Sequence, residues 1–507
     1  MAVGATEKDL IQSRENKLEK IKDLEQNPYP AKASKDYMST RIREIYSELL
    51  ASAQEFSYAG RIIAQRGYGK LVFLDVADEK GKLQVMLKSD LTKNFDLVNL
   101  LDLGDFIQVD GKLFLTKTGE VTIEGNEIKL LTKSMRPLPD MHHGINDEET
   151  KFRKRYLDFI LNPEVRELFY KKAKFWATIR NFLLEKGFLE VETPVLETTV
   201  GGADANPFAT HHDALDIDVY LRISMGELWQ KRLLVGGFEK TFEIGRQFRN
   251  EGISREHLQD YSQMEFYWAY ANYEDSMKLV EEMYKRIVNE VFETGEFEIN
   301  GHKVNFNQDW QKIDYVTKIS EDLGINVIKA TDEELSNKIK EMKLEHKKSD
   351  TRGRMIDTLW KSIRGKISGP AFLINHPVEV SPLAKRKEDN PDLVERYQVL
   401  IAGSEVGNGY SELNDPCDQE ERFLEQAKMR EGGDVEAQMH DKDFVEALQY
   451  GMPPATGFGT SERLFAFLAG RPVRECVMFP LVRPESNKPE IQISKSDTKE
   501  KGSAKAE

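Results

Sequence analysis

The stretch from Phe242 to Tyr270 constrains the fold of this chain more than any other; it reads FEIGRQFRNEGISREHLQDYSQMEFYWAY. Gly252 to Gln259, in its middle, carries turn and charge signals. On either side, apolar residues alternate with polar ones at about the two-residue period of half-buried strands: Phe242, Ile244 and Phe248, and then Met264, Phe266 and Trp268. The pattern predicts two antiparallel strands joined by a charged loop.

Charged residues in these two strands need an explanation, because a purely structural sheet would hold Val or Thr in their places. Arg249, Glu251 and Glu265 are such residues. An arginine on a rigid strand suits a pair of phosphate oxygens, and Glu251 and His257 beside it suit a base edge and further phosphates. The stretch therefore predicts a nucleotide pocket, although an exposed sheet face with ion pairs would give the same pattern.

A family resemblance lies in this stretch. FRNEG, followed by His257 and then by MEFYWAY, resembles motif 2 of the class II aminoacyl-tRNA synthetases, most closely the lysine enzymes. FLEVETPVL, residues 188 to 196, resembles motif 1, which in the family forms a homodimer interface with Pro194 at its centre. Residues 451 to 480, which begin GMPPATGFGTSER, resemble motif 3. The resemblance covers residues 25 to 485 and implies ATP-dependent activation of lysine and its transfer to tRNA(Lys).

The resemblance also implies an ATP site. Arg249 would hold the α-phosphate, while Arg463 and His257 would steady the γ end, which makes the two arginines the predicted catalytic residues. The remaining predicted ATP contacts are Glu251, Tyr261 and Glu405. Motif 3 departs from the family pattern, because GFGTSER is one residue short and carries Ser461. Its glycines would permit close approach of the adenine or ribose.

The predicted lysine site takes residues from several segments, namely Gly202, Glu227, Glu265, Tyr267, Asn408, Tyr410 and Glu412. Glu227 matches the carboxylate that meets the α-amino group in lysine enzymes. The chain has one more residue than usual between Arg222 and Glu227, which leaves Met225 or Gly226 as alternative contacts. Asn408, Tyr410 and Glu412 resemble the contacts to the lysine side chain.

Mg²⁺ is the predicted cofactor, and Glu405 resembles the family's metal residue, with Glu412 as a second candidate. The usual second metal carboxylate falls seven residues before Glu405, where this chain has Gln398. An amide oxygen ligates Mg²⁺ but carries no charge, so we expect a metal there to bind more weakly.

Short β segments from Glu55 to Thr132, separated by Gly and Asp turns, predict a small five-stranded barrel, for which an OB-fold is the natural candidate. OB-folds bind single strands by stacking bases on aromatic residues. Arg66, Phe73, Gln84 and Glu127 match positions that read the anticodon in lysine enzymes, although an aromatic residue in a strand more often belongs to the core.

The predicted fold class is α+β: an OB-fold barrel followed by a catalytic domain built on an antiparallel sheet flanked by helices. The predicted segments are a helical one at 1–54, the OB-fold at 55–139, the catalytic domain at 140–485 with a helical insertion at 271–365, and a disordered tail at 486–507. Asn162 and Pro163 predict the start of a long helix that ends near Gly187.

Composition narrows the class of protein. The 507 residues exceed one core and indicate two or three domains. No apolar run approaches a membrane span, and the first residues lack the apolar core of a signal peptide, so we expect a cytoplasmic protein without a membrane partner. Two cysteines cannot build a disulfide framework. The net charge of −15 argues only weakly against nucleic-acid binding, because a basic stripe can lie on an acidic body.

Three other functions share some of these sequence features. Aspartate and asparagine ligases share the layout, but an acidic amino acid calls for basic residues where this chain places Glu265 and Glu412. An enzyme that lysylates a protein would lack residues 55 to 132. A non-catalytic relative is suggested by Gln398 and the short motif 3, but such relatives usually lose the phosphate-binding arginine, and Arg249 is present.

Overall fold

The computed structural model describes residues 6–67, 69–139, 144–145, 147–203, 205–347, 350–432 and 437–485. The chain divides into two compact units, Met1–Leu161 and Asn162–Glu507. The predicted α+β fold is confirmed, with a barrel in the first unit and a large sheet with helices in the second. The domain boundaries near residues 54 and 139 stay predictions. The tail predicted to be disordered, 486–507, lies outside the described residues.

A closed five-stranded barrel occupies the first unit, as predicted. Alternate residues of each strand face the interior of the barrel. Val72, Leu74 and Val76 are nearly fully buried there, while Phe73 and Asp75 between them point outward. Each predicted β segment forms a strand: β1 Phe56–Arg66, β2 Leu71–Ala77, β3 Lys82–Lys88, β4 Phe106–Leu115 and β5 Val121–Thr132. The order around the barrel is β1-β2-β3-β5-β4, and β4 closes against β1.

Helices precede and follow this barrel. The first begins at a capping box in which Thr6 and Asp9 each bond the other's backbone N–H. The helices of the first unit are α1 Glu7–Asp23, α2 Ser39–Glu44, α3 Tyr46–Ser52, α4 Glu148–Arg153 and α5 Arg155–Leu161, with a 3₁₀ turn at Phe95–Leu100.

The second unit is built on an eight-stranded sheet. Its elements are α6 Pro163–Glu185, β6 Leu189–Glu190, β7 Leu196–Glu197, β8 Ala209–His212, β9 Ile217–Leu221, α7 Glu227–Val235, β10 Lys240–Phe248, β11 Asp260–Ala269, α8 Tyr273–Ile287, β12 Glu296–Ile299, β13 His302–Asn305, β14 Gln311–Asp314, α9 Tyr315–Leu323, α10 Asp332–Glu341, α11 Arg352–Ile363, β15 Ala371–Pro377, β16 Leu393–Ile401, β17 Ser404–Ser411, α12 Pro416–Glu431, α13 Lys442–Gln449, β18 Ala455–Ser461 and α14 Glu462–Leu468. The strand order is β14-β15-β16-β17-β18-β11-β10-β6. Only the two end pairs, β14 with β15 and β10 with β6, are parallel.

The hairpin predicted from Phe242 to Tyr270 is present as β10 and β11, which pair antiparallel with Phe242 opposite Phe266. One detail of the prediction is wrong: β10 ends at Phe248, so Arg249 and Glu251 follow the strand instead of lying within it. Arg249 nevertheless continues the ladder, because its N–H donates to the carbonyl of Gln259 at 2.8 Å. The two residues therefore sit at the mouth of the hairpin.

The stretch 271–365, predicted as a helical insertion, contributes helices, part of the main core and one strand of the main sheet. Its first helix, α8, packs into the main core through residues such as Val280 and Tyr284. It also contributes β14 to one edge of the main sheet. The helices α9, α10 and α11 share a separate core around Trp360 and Leu335. Among the described residues, none of the helices combines the length and apolarity needed to cross a membrane.

Aromatic rings fix the sheet that carries the site. Phe266 is fully buried, with its ring centroid 5.2 Å from that of Phe188 and 5.8 Å from that of Phe458. We expect Phe266→Ala to lower the free energy of unfolding of this unit by about 3–5 kcal/mol, measured by chemical denaturation. Tyr450→Ala, at a position 80% exposed, serves as the control and should change it by less than about 0.5 kcal/mol. Equal effects of both substitutions would contradict this account of the core.

Candidate active site

One cavity of about 370 Å³ in the second unit gathers the predicted ligand-binding residues. It lies over the central strands β17, β18 and β11 and is closed by the loops around them. Every residue predicted for ATP, lysine or metal lines it: Gly202, Glu227, Arg249, Glu251, His257, Tyr261, Glu265, Tyr267, Gln398, Glu405, Asn408, Tyr410, Glu412 and Arg463. The structure thus brings together residues that are widely separated along the chain.

Strand register explains why these residues meet. In β18, Gly459 lies between Asn408 of β17 and Glu265 of β11. Two residues earlier, Gly457 lies between Tyr410 and Tyr267. Residues two apart in a strand face the same side of a sheet, so the two rows lie side by side on the floor of the cavity.

The glycines of β18 keep this floor open. A Cβ on Gly457 would lie 2.4 Å from Glu412 Oε1 and 2.6 Å from the ring of Tyr267. One on Gly459 would lie 3.1 Å from Glu265 Cγ. The motif 3 glycines therefore make room for the protein's own carboxylates, a reason that the sequence pattern did not reveal.

Glu227, Glu265 and Glu412 form an acidic cup at one end of the cavity, and all three are nearly fully buried. Lys231, also fully buried, lies 2.8 Å from Glu227 Oε1 and 2.6 Å from Glu412 Oε2. The hydroxyl of Tyr410 donates to Glu227 as well. One ammonium thus stands among three carboxylates, so the cup has an excess of negative charge when all three are ionised.

Glu265 is held rigidly at the bottom of the cup. Its Oε1 accepts hydrogen bonds from the N–H of Met225 at 3.0 Å and from Gln263 Nε2 at 2.6 Å, and its Oε2 accepts from the hydroxyl of Tyr267 at 3.0 Å. Burial, reinforced by the charge of Glu227, raises the pKa of Glu265 to about 7. The fixed geometry suits a positively charged ligand, because a cation would restore the ionised form.

Glu412 lacks the partners that Glu265 has. Lys231 Nζ lies 2.6 Å from its Oε2, but within the described residues Oε1 of Glu412 has no hydrogen-bond partner. Burial raises the pKa of Glu412 to about 8, against the opposing effect of Lys231. A buried acceptor without a donor is costly, so Oε1 of Glu412 favours a proton or a further donor beside it.

Cationic side chains line the other end of the cavity. Arg249 is fixed by its Nε, which donates to the carbonyl of Ile223 at 3.3 Å, and its guanidinium lies 5.9 Å from the ring centre of Tyr261. Arg463 follows Ser461, whose hydroxyl caps α14, and it donates to the backbone carbonyl of Glu405. The two arginines therefore share one cavity, as the predicted nucleotide site requires.

His257 joins these arginines as a neutral donor or acceptor. Burial, together with the charge of Arg463, lowers the pKa of His257 below its ordinary value. Its Nε2 lies 3.5 Å from Arg463 Nη1, and its Nδ1 lies 2.7 Å from the hydroxyl of Ser254. Since a guanidinium only donates, Nε2 is the accepting nitrogen. Glu256, which sequence reasoning missed, also lines this end and lies 3.7 Å from Arg463.

Glu405 is surrounded by donors. Its Oε1 accepts from Trp360 Nε1 at 2.9 Å and pairs with Arg364 Nη1 at 2.8 Å, while its Oε2 accepts from Gln398 Nε2 at 3.0 Å. Burial alone would raise the pKa of Glu405, but the charge of Arg364 and the bond from Trp360 hold it below the ordinary value. Arg364 and Trp360 were not predicted, because no local pattern around them points to Glu405.

The orientation of Gln398 follows from its neighbours. A carboxylate only accepts, so the amide NH₂ of Gln398 faces Glu405, and its carbonyl oxygen faces His376 Nε2 at 3.1 Å. His376 is fully buried; burial and the charge of Arg396 lower its pKa to about 3, so the ring is neutral and Nε2 carries its proton. The side-chain oxygen of Gln398 therefore points toward His376 and away from Glu405.

The predicted magnesium residues do not fit a metal site of their own. Gln398 turns its oxygen to His376, Glu405 is neutralised by Arg364, and Glu412 lies with Lys231 in the acidic cup. In the part of the chain that the structure describes, no cluster of three or more His, Cys, Asp or Glu residues is arranged to hold a metal ion.

In the barrel, three of the four residues predicted to read the anticodon lie together. Arg66 pairs with Phe73 across β1 and β2, and Gln84 lies opposite Asp75 on β3, all on the outer face. Phe73 is half-buried outside the barrel core, as a stacking platform requires. Glu127 lies on β5, three residues beyond Glu124, which pairs with Met86, the β3 partner of Phe73.

Comparison with known proteins agrees with this geometry. The family model described as tRNA synthetases class II (D, K and N) matches residues 147–483. Lysine–tRNA ligase of Thermotoga maritima is 43% identical over 489 residues, which cover 94% of this chain and 97% of the relative. This chain is a member of the lysine–tRNA ligase family of class II synthetases. The resemblance found in motifs 1 to 3 is thereby confirmed.

Further comparisons extend over the same length. Lysine–tRNA ligase of Fervidobacterium nodosum is 42% identical over 95% of both chains, and that of Carboxydothermus hydrogenoformans is 41% identical over 94% of this chain and 98% of its own. A second model, the OB-fold nucleic acid binding domain, matches residues 56–131. The OB-fold predicted from the β segments is confirmed, and the chain has the two-domain layout of its family.

The raised pKa of Glu265 has a consequence for stability. Its pKa in the folded protein, about 7, exceeds the ordinary value of 4.5, so the folded state retains a proton that the unfolded state has lost, and stability falls as the pH rises through that window. We expect Glu265→Gln to stabilise the ligand-free protein at pH 8 by on the order of 1–3 kcal/mol, with a smaller gain at pH 5, in denaturant titrations.

Glu243, the cross-strand neighbour of Glu265, provides the matched control. It pairs with buried Arg222 at 2.6 Å, so Glu243→Gln should destabilise the protein at pH 8. If both substitutions destabilised the protein at pH 8, the assignment of a strained charge to Glu265 would be wrong.

Proposed function

We propose that this protein activates L-lysine with ATP and transfers the lysyl group to the 3′ end of tRNA(Lys). One observation carries the proposal: a single cavity holds an acidic cup at one end and the guanidinium groups of Arg249 and Arg463 at the other. The cup suits a cationic amino acid, and the arginines suit a polyphosphate. The lysine–tRNA ligase relatives support the same reading.

The chemistry needs positioning and charge more than a protein nucleophile. The lysine carboxylate attacks the α-phosphorus of ATP in line, the bond to the β-phosphate oxygen breaks, and pyrophosphate leaves. Arg249 is proposed to hold the α-phosphate, with Glu251 and Tyr261 at the nucleotide. Arg463 and His257 are proposed to steady the γ end. The terminal ribose hydroxyl of tRNA then attacks the lysyl carbonyl, and AMP leaves.

Selectivity follows from the charge balance of the acidic cup. Glu227, Glu265 and Glu412 bring three negative charges when ionised, and Lys231 supplies one positive charge. Two charges are left over, and lysine brings two ammonium groups, at Cα and at the end of its side chain. Aspartate or asparagine would leave buried carboxylates without partners, which costs several kcal/mol. The cup thus favours lysine over the other substrates of this synthetase class.

The remaining lysine contacts are proposed from their positions in the cavity. Tyr267 and Tyr410 direct their hydroxyls to carboxylates of the cup, and Arg396 holds the Asn408 carbonyl at 2.8 Å. Gly202 has a φ of +87°, and a Cβ there would lie 2.8 Å from Glu227 Cβ, so only glycine lets this loop approach the cup. Mg²⁺ stays a proposed cofactor, held by the phosphate oxygens of ATP and not by Gln398 or Glu412.

A homodimer is proposed from the surface around motif 1. Four apolar side chains in or next to motif 1 are 41–49% exposed: Leu184, Leu189, Val195 and Leu196. The short strand β6 also leaves an edge of the main sheet uncovered within this unit. Both features suit a second copy of the chain. A cytoplasmic location and tRNA(Lys) as the nucleic-acid partner complete the proposal.

Lysine-dependent exchange of pyrophosphate into ATP tests the function directly. Lysine should support exchange, and aspartate and asparagine should not. We expect Glu265→Gln to lower kcat/KM for lysine by at least about 100-fold, because a ligand ammonium loses its buried partner, with little change in ATP affinity. Unaltered lysine-dependent exchange in this variant would refute the lysine site.

The raised carboxyl pKa values make lysine binding depend on pH. Lysine pairs with ionised carboxylates, so below about pH 7 for Glu265 and about pH 8 for Glu412 binding must first expel a proton. We expect the Kd for lysine to fall as the pH rises through 7 and 8. Calorimetry at pH 7 in buffers of different ionisation enthalpy should show net proton release, and less of it in Glu265→Gln. Proton uptake on binding would contradict the charge assignment.

Phe73 tests the proposed role of the barrel in tRNA binding. Phe73→Ala should weaken the binding of tRNA(Lys) by about 1–3 kcal/mol through the loss of base stacking, measured by fluorescence titration, and should leave lysine-dependent pyrophosphate exchange unchanged. Phe106→Ala, a partly exposed aromatic at the end of β4 that pairs with Arg61, is the matched control and should leave tRNA affinity unchanged. Equal losses in both variants would count against Phe73 as the stacking residue.

A further inference from the structure

The carboxylate of Glu405 already has a positive partner. It lies on the cavity wall, and each of its oxygens accepts from a neighbouring side chain. One of these neighbours, Arg364, is a guanidinium whose Nη1 lies 2.8 Å away. A Mg²⁺ ion would have to approach within about 2.1 Å of a carboxylate oxygen and displace these donors.

Gln398 removes the second carboxylate that such an ion would use. Its NH₂ group, directed at Glu405, places a partial positive charge where a carboxylate would place a negative one. The buried neutral ring of His376 holds this orientation, because its Nε2–H donates to the amide oxygen at 3.1 Å. The two departures support each other: an amide in place of a carboxylate, and a guanidinium in place of a divalent metal ion.

Glu405 connects Arg364 with the phosphate end of the cavity, because its side chain pairs with Arg364 while its backbone carbonyl accepts from Arg463. Arg364 begins the 3₁₀ turn Arg364–Lys366 directly after α11. Its charge contributes to lowering the pKa of both His257 and Arg463, the two groups proposed to steady the γ end of ATP. Arg364 is therefore separated by one residue, Glu405, from the arginine proposed to steady the γ end of ATP.

We propose that Arg364 occupies the place of a divalent cation at Glu405, so that it is a positioning residue for the pyrophosphate end of ATP. Glu405 pairs with Arg364, and Gln398 donates to the other oxygen of Glu405. The protein then needs no Mg²⁺ beyond the ions that ATP itself carries. A guanidinium stays charged at every physiological pH, so this part of the site does not depend on the concentration of free Mg²⁺. The role of Arg364 rests on the proposed function; the occupancy of the cation site does not.

Binding of Mn²⁺, followed by electron paramagnetic resonance without nucleotide, lysine or tRNA, tests the cation site. The double variant R364A/Q398E should bind one more tightly held Mn²⁺ per chain than the wild type, because it restores two adjacent carboxylates and removes the guanidinium. K361A, which removes a cation one turn earlier in α11 that pairs with Asp357, should bind as the wild type does. An equal number of Mn²⁺ ions in the wild type and the double variant would overturn the proposal.

The dependence of lysine-dependent pyrophosphate exchange on free Mg²⁺ tests the role of Arg364, including the case in which the double variant does not fold. With ATP fully complexed, the wild type and K361A should show no further increase as free Mg²⁺ rises. R364A should lose about tenfold or more in rate at about 1 mM free Mg²⁺ and regain part of it at about 20 mM, while R364K keeps most of the rate. A loss that neither Mg²⁺ nor R364K relieves would reduce Arg364 to a structural residue and overturn the proposal.

The two measurements separate the possible failures. If the proposed function were wrong, no lysine-dependent exchange would be seen in the wild type, yet the Mn²⁺ comparison would still decide the cation site. If the function is right and only the inference fails, exchange is normal and the wild type binds Mn²⁺ as the double variant does.

Discussion

The site depends first on the absence of two side chains in the middle of the sheet. Gly457 and Gly459 lie in β18 between strands that both carry polar residues toward the same face. Side chains there would fill the space that Glu412, Tyr267 and Glu265 now occupy. An antiparallel sheet with these gaps becomes a trough, and its neighbouring strands supply the groups that line it.

The second requirement is a positive charge that offsets the repulsion among the buried carboxylates of the acidic cup. Three buried carboxylates would repel one another strongly in a low-dielectric interior. Lys231 pairs with Glu227 and Glu412, and the raised pKa of Glu265 lets that group hold a proton at neutral pH. Lys231 and this proton thus reduce the repulsion among the carboxylates, and the acidic cup still favours a cation. In the same way, Arg364 pairs with the carboxylate of Glu405 on another part of the cavity wall.

Local sequence patterns predicted much of this structure. The β10–β11 hairpin and the barrel strands follow from the two-residue period, because burial of one sheet face is a local property of the chain. The resemblance in the motifs also predicted many of the residues that line the cavity. Lys231 stands four residues after Glu227, a helical spacing visible in the sequence, but its partner Glu412 comes from a distant strand. The fit of Lys231 between two carboxylates therefore required the three-dimensional structure.

The departures from the family pattern were visible in the sequence. The contacts that compensate for them were not. Gln398 could be recognised as an amide in place of a carboxylate, and the expectation was a weaker metal site. The structure shows instead that its oxygen belongs to His376 and that Arg364 neutralises Glu405. These contacts join residues from different strands and from the turn after α11, so no local periodicity encodes them. Register and tertiary packing decide them.

The central claim is that the cup selects its ligand by charge and not by shape. Norleucine has the hydrocarbon chain of lysine and lacks only the terminal ammonium, so comparing the binding of the two by calorimetry, with a non-hydrolysable ATP analogue present, tests the claim most directly. The account predicts that norleucine binds at least about 1,000-fold more weakly than lysine, because it lacks the terminal ammonium that would pair with the acidic cup. Affinities within a factor of about ten would mean that hydrophobic contact dominates and would contradict the account.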